Sequence, residues 1–537
     1  MPAFLFLLCA LSASAAVFYL ASSIALPWAW LMWVALLPWL ALLERWRTPG
    51  RSLFVGVLMA VSFVVAVFGW FPFAVSHFTG LPVWLNAALL VVVAPILQPQ
   101  IVVYAVVRSF LLRRACGRLL VASLASFAWV GSEWLVPRLF EDTLGHSLYP
   151  FVALRQVADL AGAPALSLLI VFTNELLYAA WLAFQTSTRR ALYFSVAAVL
   201  PVLCVAGYGE LRLAQIASHQ PEVAPLVAVL VQPNLSDYES LRRDRGTLVA
   251  VRTILSGYED LSRVGIAAAE DFGGADLLVW PESAYPTTFG RPKSPEGALF
   301  DARITAFVHS LGTPLLLGTY DAVAGGEFNA AALLSPKAMH AGEREVFRKT
   351  RLFPLTEWVP TWLETPWVRG FLPWLGTWKS GDGPNLAAIE DRDGRSVKLA
   401  PLICLDAVDP SLALDAAELG AEALVTLSND AWFGVSRGLR LHFVVTAFRS
   451  IETRLPQIRV TTTGISAVVD ATGQLLDAAP VGEAAHLVAV FVPGSRGGTL
   501  MKRWGSDWFG ASTLALTLLG LVGVLLRPRS RPASRAD

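Results

Sequence analysis

Repeated apolar stretches, each long enough to cross a lipid bilayer, limit what this chain can fold into more than any other feature. A hydrocarbon core about 30 Å thick takes roughly 20 apolar residues in helical form, because a helix satisfies its own backbone hydrogen bonds there. Seven such stretches fill the first 208 residues: approximately Ala3 to Ser22, Ile24 to Leu43, Ser52 to Ser76, Pro82 to Val107, Leu119 to Leu139, Ala163 to Phe184 and Ala191 to Tyr208. An eighth, Trp508 to Leu526, stands alone near the C-terminus. The first stretch lacks a basic leader and runs straight into the second, so it reads as a retained helix rather than a signal peptide. Composition agrees, with 55% hydrophobic and only 15% charged residues in 537, against about 25% charged in a soluble domain. A net charge of +1 leaves no basic surface for nucleic acid.

Orientation follows from the arginines, since short cytoplasmic loops carry the Lys/Arg excess. The loops after spans two, four and six and the C-terminal tail hold thirteen, from Arg45 to Arg535, whereas the opposite loops hold only Arg138 and Arg155. Both termini are therefore expected in the cytoplasm, with the segment between spans seven and eight outside. The expected division is a membrane domain over 1–208, an outward domain over 209–499, and an eighth helix with an Arg-rich tail over 500–537. In the outward segment, short apolar runs such as Leu226 to Val231, Leu277 to Trp280, Ala400 to Cys404 and Ala423 to Leu427 read as strands. Helical stretches, Ser240 to Ala269 and His442 to Arg454 among them, separate the runs and point to a layered α/β fold.

Three segments put ionisable residues at strand ends. Leu277 to Trp280 leads through Pro281 to Glu282; Phe347 and Arg348 lead to Lys349; Pro401 to Ile403 lead to Cys404. Taken singly, a turn carboxylate is usually solvated, a lysine usually a surface charge and a free cysteine usually core. Compartment changes the reading of Cys404. The four cysteines, Cys9, Cys116, Cys204 and Cys404, are scattered, which fits neither a disulfide framework nor a metal site. Cys404 alone lies in the outward domain, where an unpaired thiol is a liability unless it has chemistry to do. A nucleophilic thiol needs a base, and the carbonyl it attacks needs a positive charge at its oxyanion. Glu282 can supply the first and Lys349 the second.

Glu, Lys and Cys in this order at strand ends resemble the nitrilase, or carbon-nitrogen hydrolase, superfamily. Val279-Trp280-Pro281-Glu282, Glu357-Trp358-Val359-Pro360, Ile403-Cys404 and above all Asn429-Asp430-Ala431-Trp432-Phe433-Gly434 are similar to the apolipoprotein N-acyltransferase family. Arg449, Glu452, Arg454 and Arg459, and Ser132-Glu133-Trp134 in span five, extend the likeness. The resemblance implies a polytopic helical membrane bundle of eight spans with an inserted nitrilase-like αββα sandwich, placed in an inner membrane with its catalytic domain on the periplasmic side. It implies that Cys404 takes an acyl chain from a phospholipid, typically phosphatidylethanolamine, as a thioester. The α-amino group of a diacylglyceryl apolipoprotein would then receive that chain. Glu282 would be the general base, Lys349 the oxyanion group and Glu357 a supporting carboxylate; no cofactor or metal is called for.

Several positions depart from the family pattern: Leu355-Thr356 stand where Phe-Gly is usual, Leu405-Asp406 where an aromatic and Glu follow the cysteine, and Thr462 where Asn is common. These keep open a membrane-tethered amidase in which water resolves the acyl-enzyme. A receptor or scaffold with a degenerate domain is the alternative that is not an enzyme. His442 reads as a half-buried histidine or a partner of the thiol, and Glu133 as an intramembrane functional group or a structural pair. Trp358, Trp367 and Trp374 belong to a tryptophan-rich loop, read as a lid resting on the bilayer or as an aromatic satellite core.

Overall fold

A computed structural model describes residues 3–218, 223–235, 246–371, 376–434 and 436–527. The N-terminal part is helical: α1 (Ala3–Ala21), α2 (Leu26–Arg45, interrupted by a 3-10 turn), α3 (Pro49–Phe68), α4 (Phe71–Thr79), α5 (Val83–Leu97), α6 (Pro99–Arg113), α7 (Arg118–Leu135), α8 (Ala158–Phe184) and α9 (Thr188–Ser218). Among the described residues, six helices are long and apolar enough to cross a membrane, or up to seven when the bent pair α5 and α6 counts as one. That pair meets at 48°, where Pro99 cannot donate to the preceding turn. The expected third stretch, Ser52 to Ser76, is two helices, α3 and α4, because Gly69 and Pro72 break it. Helix α7, in the expected fifth stretch, has 18 residues and carries both Arg118 and Glu133, so it does not number among the six. Gly131 lets α7 close on the C-terminal helix, since a Cβ there would lie 2.7 Å from the Leu514 backbone.

Past α9 the chain builds two six-stranded sheets, ordered β12-β1-β2-β3-β4-β5 and β11-β10-β9-β8-β7-β6. The strands are β1 (Leu226–Gln232), β2 (Leu277–Trp280), β3 (Leu315–Val323), β4 (Gly326–Leu334), β5 (Glu345–Arg348), β6 (Ala387–Glu390), β7 (Ser396–Ile403), β8 (Ala423–Ser428), β9 (Gln457–Thr461), β10 (Ala467–Val469), β11 (Leu475–Ala478) and β12 (Ala485–Phe491). In each sheet three central strands run parallel, β1-β2-β3 and β7-β8-β9, with antiparallel strands beyond. Period-two alternation sorts their faces. Leu226, Ala228 and Leu230 of β1 share one core with Leu399, Ile403, Val425 and Leu427 of the opposing sheet. Val227, Val229 and Val231 turn to helices α10 (Thr247–Ala269) and α11 (Pro295–Leu311). Behind the second sheet, Ala400, Leu402 and Leu424 pack on α13 (Pro410–Glu418), with α12 (Pro366–Phe371) earlier in the chain. Then come α14 (Arg437–Thr453), α15 (Leu500–Trp504) and α16 (Trp508–Leu526).

Helix α14 is buried along nearly its whole length, because one side covers the sheet and the other meets α8. At the same junction Arg454 pairs with Asp159 of α8 at 2.6 Å. The apolar stretch expected to end at Tyr208 continues as helix to Ser218. There Tyr208 donates to Asp159 at 2.6 Å and Arg212 pairs with the same carboxylate at 2.7 Å.

Candidate active site

The parallel strands β2 and β7 end on the same rim, and the turns that leave them carry Glu282 and Cys404. Both turns are strained in the same sense. Ser283, immediately after the glutamate, has φ +55°, and Cys404 itself has φ +51°, a left-handed conformation that L residues adopt at a cost of about 1–3 kcal/mol where surroundings over-determine it. Gly318 of β3 makes room for the first turn, since a Cβ there would lie 2.3 Å from the Pro281 carbonyl. Lys349 follows the edge strand β5, its backbone N–H donating to the Asn329 carbonyl of β4 at 2.8 Å. All three side chains are buried: Lys349 is 1% exposed, Glu282 5% and Cys404 6%.

The polar contacts form a closed set. Lys349 Nζ donates to Glu282 Oε1 at 3.2 Å and to Glu357 Oε1 at 2.8 Å. Asn329 Nδ2 bridges the same two oxygens at 2.8 and 2.9 Å. The Asn429 N–H donates to Glu282 Oε2 at 2.8 Å, and the Phe353 N–H to Glu357 Oε2 at 2.7 Å. Burial pushes the Cys404 thiol well above its ordinary pKa; the Glu282 carboxylate adds to the rise while Lys349 opposes it. Burial works against the charge on Lys349, but Cys404 when ionised and the Glu282 and Glu357 carboxylates outweigh it and hold the ammonium well above its usual range. A neutral thiol beside a fixed ammonium and two carboxylates is equipped for proton transfer coupled to attack on a carbonyl.

The four residues singled out for chemistry, Glu282, Lys349, Glu357 and Cys404, thus lie in one buried cluster. Of the three tryptophans, Trp358 lines the cavity next to it, Trp367 on α12 is 76% exposed, and Trp374 lies outside the described residues. His442 Nδ1 lies 3.1 Å from Asp430 Oδ1, and Arg459 closes on the same carboxylate at 2.9 Å. That buried ring supports the Asn429 turn from behind. Arg459 and His442 hold the Asp430 carboxyl well below its usual range although burial opposes them. Glu133 sits 3.6 Å from Arg138. Among the described residues no three His, Cys, Asp or Glu side chains gather as a metal site requires.

One residue that the sequence reading passed over, and one that it named only as a departure, matter here. Asn329 is the lone amide in a buried strand of Phe and Ala, and that isolation was the available signal. Asp406, a departure from the family pattern, accepts from the N–H groups of Thr350, Arg351 and Ile403 at 3.0, 2.7 and 3.2 Å. It therefore ties the lysine loop to the cysteine turn. Burial pushes the Asp406 carboxyl up to about 7 against these donors. Thr462, another departure, donates to Asn429 Oδ1 at 2.8 Å and so braces the same turn.

A cavity of about 1070 Å³ begins at Leu405, beside the thiol. It runs along Leu352 to Thr356 and Trp358, then between Phe71 and Val75 of α4 and Leu89, Leu90, Val93 and Leu97 of α5. Its lining is mostly apolar, and α4 and α5 carry it into the helical bundle. Trp432 and Phe433 of the Asn429–Gly434 segment stack at 4.0 Å and meet Trp70 and Phe140 at 5.3 to 6.4 Å. The segment therefore both positions the site and docks it on the bundle.

Comparison with known proteins brings two family models to the chain: "Carbon-nitrogen hydrolase" over residues 213–490 and "Apolipoprotein N-acyltransferase N-terminal domain" over 14–176. The chain is 30% identical to the apolipoprotein N-acyltransferase of Geobacter metallireducens, covering 85% of this chain and 84% of that one. It is 30% identical to that of Gloeobacter violaceus over 92% and 90%, and 26% identical to that of Bdellovibrio bacteriovorus over 85% and 83%.

Proposed function

Because the chain belongs to the apolipoprotein N-acyltransferase family, we propose that Cys404 carries an acyl group from a membrane phospholipid to a lipoprotein as a thioester. In the first half, Cys404 Sγ attacks the ester carbonyl while Glu282 takes the thiol proton. The tetrahedral oxyanion forms against Lys349 Nζ, whose charge the surrounding carboxylates secure. Collapse breaks the ester C–O bond, and the lysophospholipid leaves with the proton from Glu282. In the second half, the α-amino group of a diacylglyceryl-cysteine attacks the thioester, Glu282 accepts its proton, and the thiolate leaves and is reprotonated. Glu357 and Asn329 keep Lys349 and Glu282 in register throughout.

The observation that carries this reading is the apolar cavity of about 1070 Å³ that runs from Leu405, the residue after the thiol, to α4 and α5 of the bundle. A soluble amide has no use for such a passage, whereas an acyl chain must lie in one. Phosphatidylethanolamine is the donor proposed. The proposed setting is an inner membrane crossed eight times, α7 included, with residues 209–499 on the periplasmic side and both termini in the cytoplasm. The loop with Trp358, Trp367 and Trp374 acts as the lid over the cavity mouth.

Incubating the protein with phosphatidylethanolamine alone should leave a hydroxylamine-sensitive acyl group on Cys404, absent in Cys404→Ala. A diacylglyceryl peptide with a free α-amino group should then discharge it and gain the chain, read by mass spectrometry. Release as free fatty acid at one rate with or without the peptide would make water the acceptor and overturn the proposal.

A further inference from the structure

A second cavity of about 300 Å³ lies behind the first, and the chemistry above makes no use of it. Pro137, Arg138 and Arg351 line both cavities and form the wall between them. Arg351 is fixed in that wall by Glu141 at 2.6 Å and Asp409 at 2.9 Å. Its far side is lined by Trp134, Asp507 and Gly510, where α7 meets α16, and the Trp134 indole donates to Asp507 at 2.9 Å.

Unlike the acyl cavity, this one is lined by buried ionisable side chains whose hydrogen bonds are incomplete. Glu452 gives one oxygen to Arg449 at 2.8 Å, and Glu133 turns one toward Arg138. The other oxygen of each has no partner, although the two residues are only 1% and 2% exposed. On the donor side, Arg449 Nε, Arg138 Nε and His146 Nε2 are also without partners. His146 Nδ1 accepts the Thr143 N–H at 2.9 Å, so its proton resides on Nε2. Burial, with Arg449 and Arg138 close by, holds the imidazole well below its ordinary pKa and therefore neutral. Leaving this many buried polar groups unmatched is costly, and a ligand that matches them must bring both donors and acceptors, which a zwitterion supplies with complementary charge.

We propose that this cavity binds the zwitterionic headgroup of an aminophospholipid, its primary ammonium held by Glu133 and Glu452 and its phosphate by the free N–H groups of Arg449, Arg138 and His146. The side lined by α7 and α16 belongs to the membrane part of the chain, where the glycerol and acyl chains would stay in the bilayer. The wall of Pro137, Arg138 and Arg351 separates this headgroup from the lipid whose ester reaches Cys404. The site is thus an additional lipid site rather than part of the donor's path.

The test uses full-length Cys404→Ala protein in detergent, which cannot consume lipid, and the chain-free probe glycerophosphoethanolamine, followed by native mass spectrometry. One equivalent should bind, while glycerophosphoglycerol and the N-acetylated probe, which lack the ammonium, should bind at least about tenfold more weakly, as expected for loss of a charge-assisted contact. Glu452→Gln and Glu133→Gln should each weaken the probe by a similar factor, and Leu90→Trp, which fills the acyl cavity, should leave it unchanged. An unaltered melting temperature in either carboxamide variant certifies that the loss is local. Equal binding of all three probes, equal binding in both carboxamide variants, or loss of binding in Leu90→Trp would overturn the proposal. Because no arm depends on acyl transfer, a failure of the thioester mechanism would leave these outcomes readable.

Discussion

At Cys404 the two neighbours of opposite charge pull the thiol in opposite directions, which separates its ionisation from its reactivity. Burial and Glu282 raise the thiol pKa and Lys349 lowers it. Alkylation of Cys404 by iodoacetamide, followed on its own peptide, should therefore rise with pH at values above those of an ordinary thiol near 8.5. Glu282→Gln removes a negative charge, so its profile should move to lower pH, while acyl transfer falls by about 10²–10⁴ for want of a base. Lys349→Met should move the profile to higher pH and also slow transfer. Coincident profiles in all three proteins would mean that these charges do not reach the thiol. Glu357 was named through the family resemblance and Lys349 follows a strand with charged ends, β5, but Glu282 and Cys404 were legible in the sequence because each closes an apolar run. Asn329 and Asp406 were not, since their work is to hold other groups and nothing in their own neighbourhoods signals where those groups will be.

Among the strands, the ones that escaped the sequence reading, β5, β6 and β11, are edges of their sheets or next to them in order, as the list β11-β10-β9-β8-β7-β6 and its counterpart place them outermost. These three edges, unlike β12, have no continuous apolar run: β6 alternates buried and exposed, and all four residues of β11 are exposed. Interior strands such as β1, buried at every position, announce themselves. Helices α4 and α5 show the same limit differently. Their apolar residues read as lipid-facing, but Phe71 and Leu90 line the cavity instead. The wall opposite Leu352 to Thr356 is formed by α5. Leu90→Trp should slow acyl-enzyme formation from a long-chain phospholipid by about tenfold or more, the scale of pocket discrimination by a few methylenes, and leave a short-chain soluble ester within about twofold. Equal slowing of both esters would place Leu90 in packing rather than passage.

For the whole molecule, the question is which side of the membrane holds the chemistry. Thirteen arginines on one set of loops against two on the other make the prediction. A reporter active only outside the membrane should work when fused after Tyr208, and one active only in the cytoplasm should work when fused after Arg531. The reverse pattern would put Cys404 on the cytoplasmic side. The two-part arrangement itself was readable from hydropathy, because spans and sheets obey different periodicities. What hydropathy could not supply is how the parts are joined: through α14 on α8, the pair of Arg454 with Asp159, and the aromatic contacts of Trp432.

Helix α9 has 31 residues, about 46 Å at 1.5 Å per residue, whereas the hydrocarbon layer is about 30 Å deep. Its surplus sets an altitude. Tyr208 and Arg212 anchor that upper portion to Asp159, and Asp159 in turn holds Arg454 at the base of the sheets. On the proposed thioester chemistry the Cys404 sulfur would therefore work at a fixed elevation over the lipid, and the thickness of the host bilayer would become a variable in its own right. A thicker bilayer would submerge the carboxylate and its arginines at the cost of their hydration, and a thinner one would lift the cavity mouth clear of the chains it must draw from.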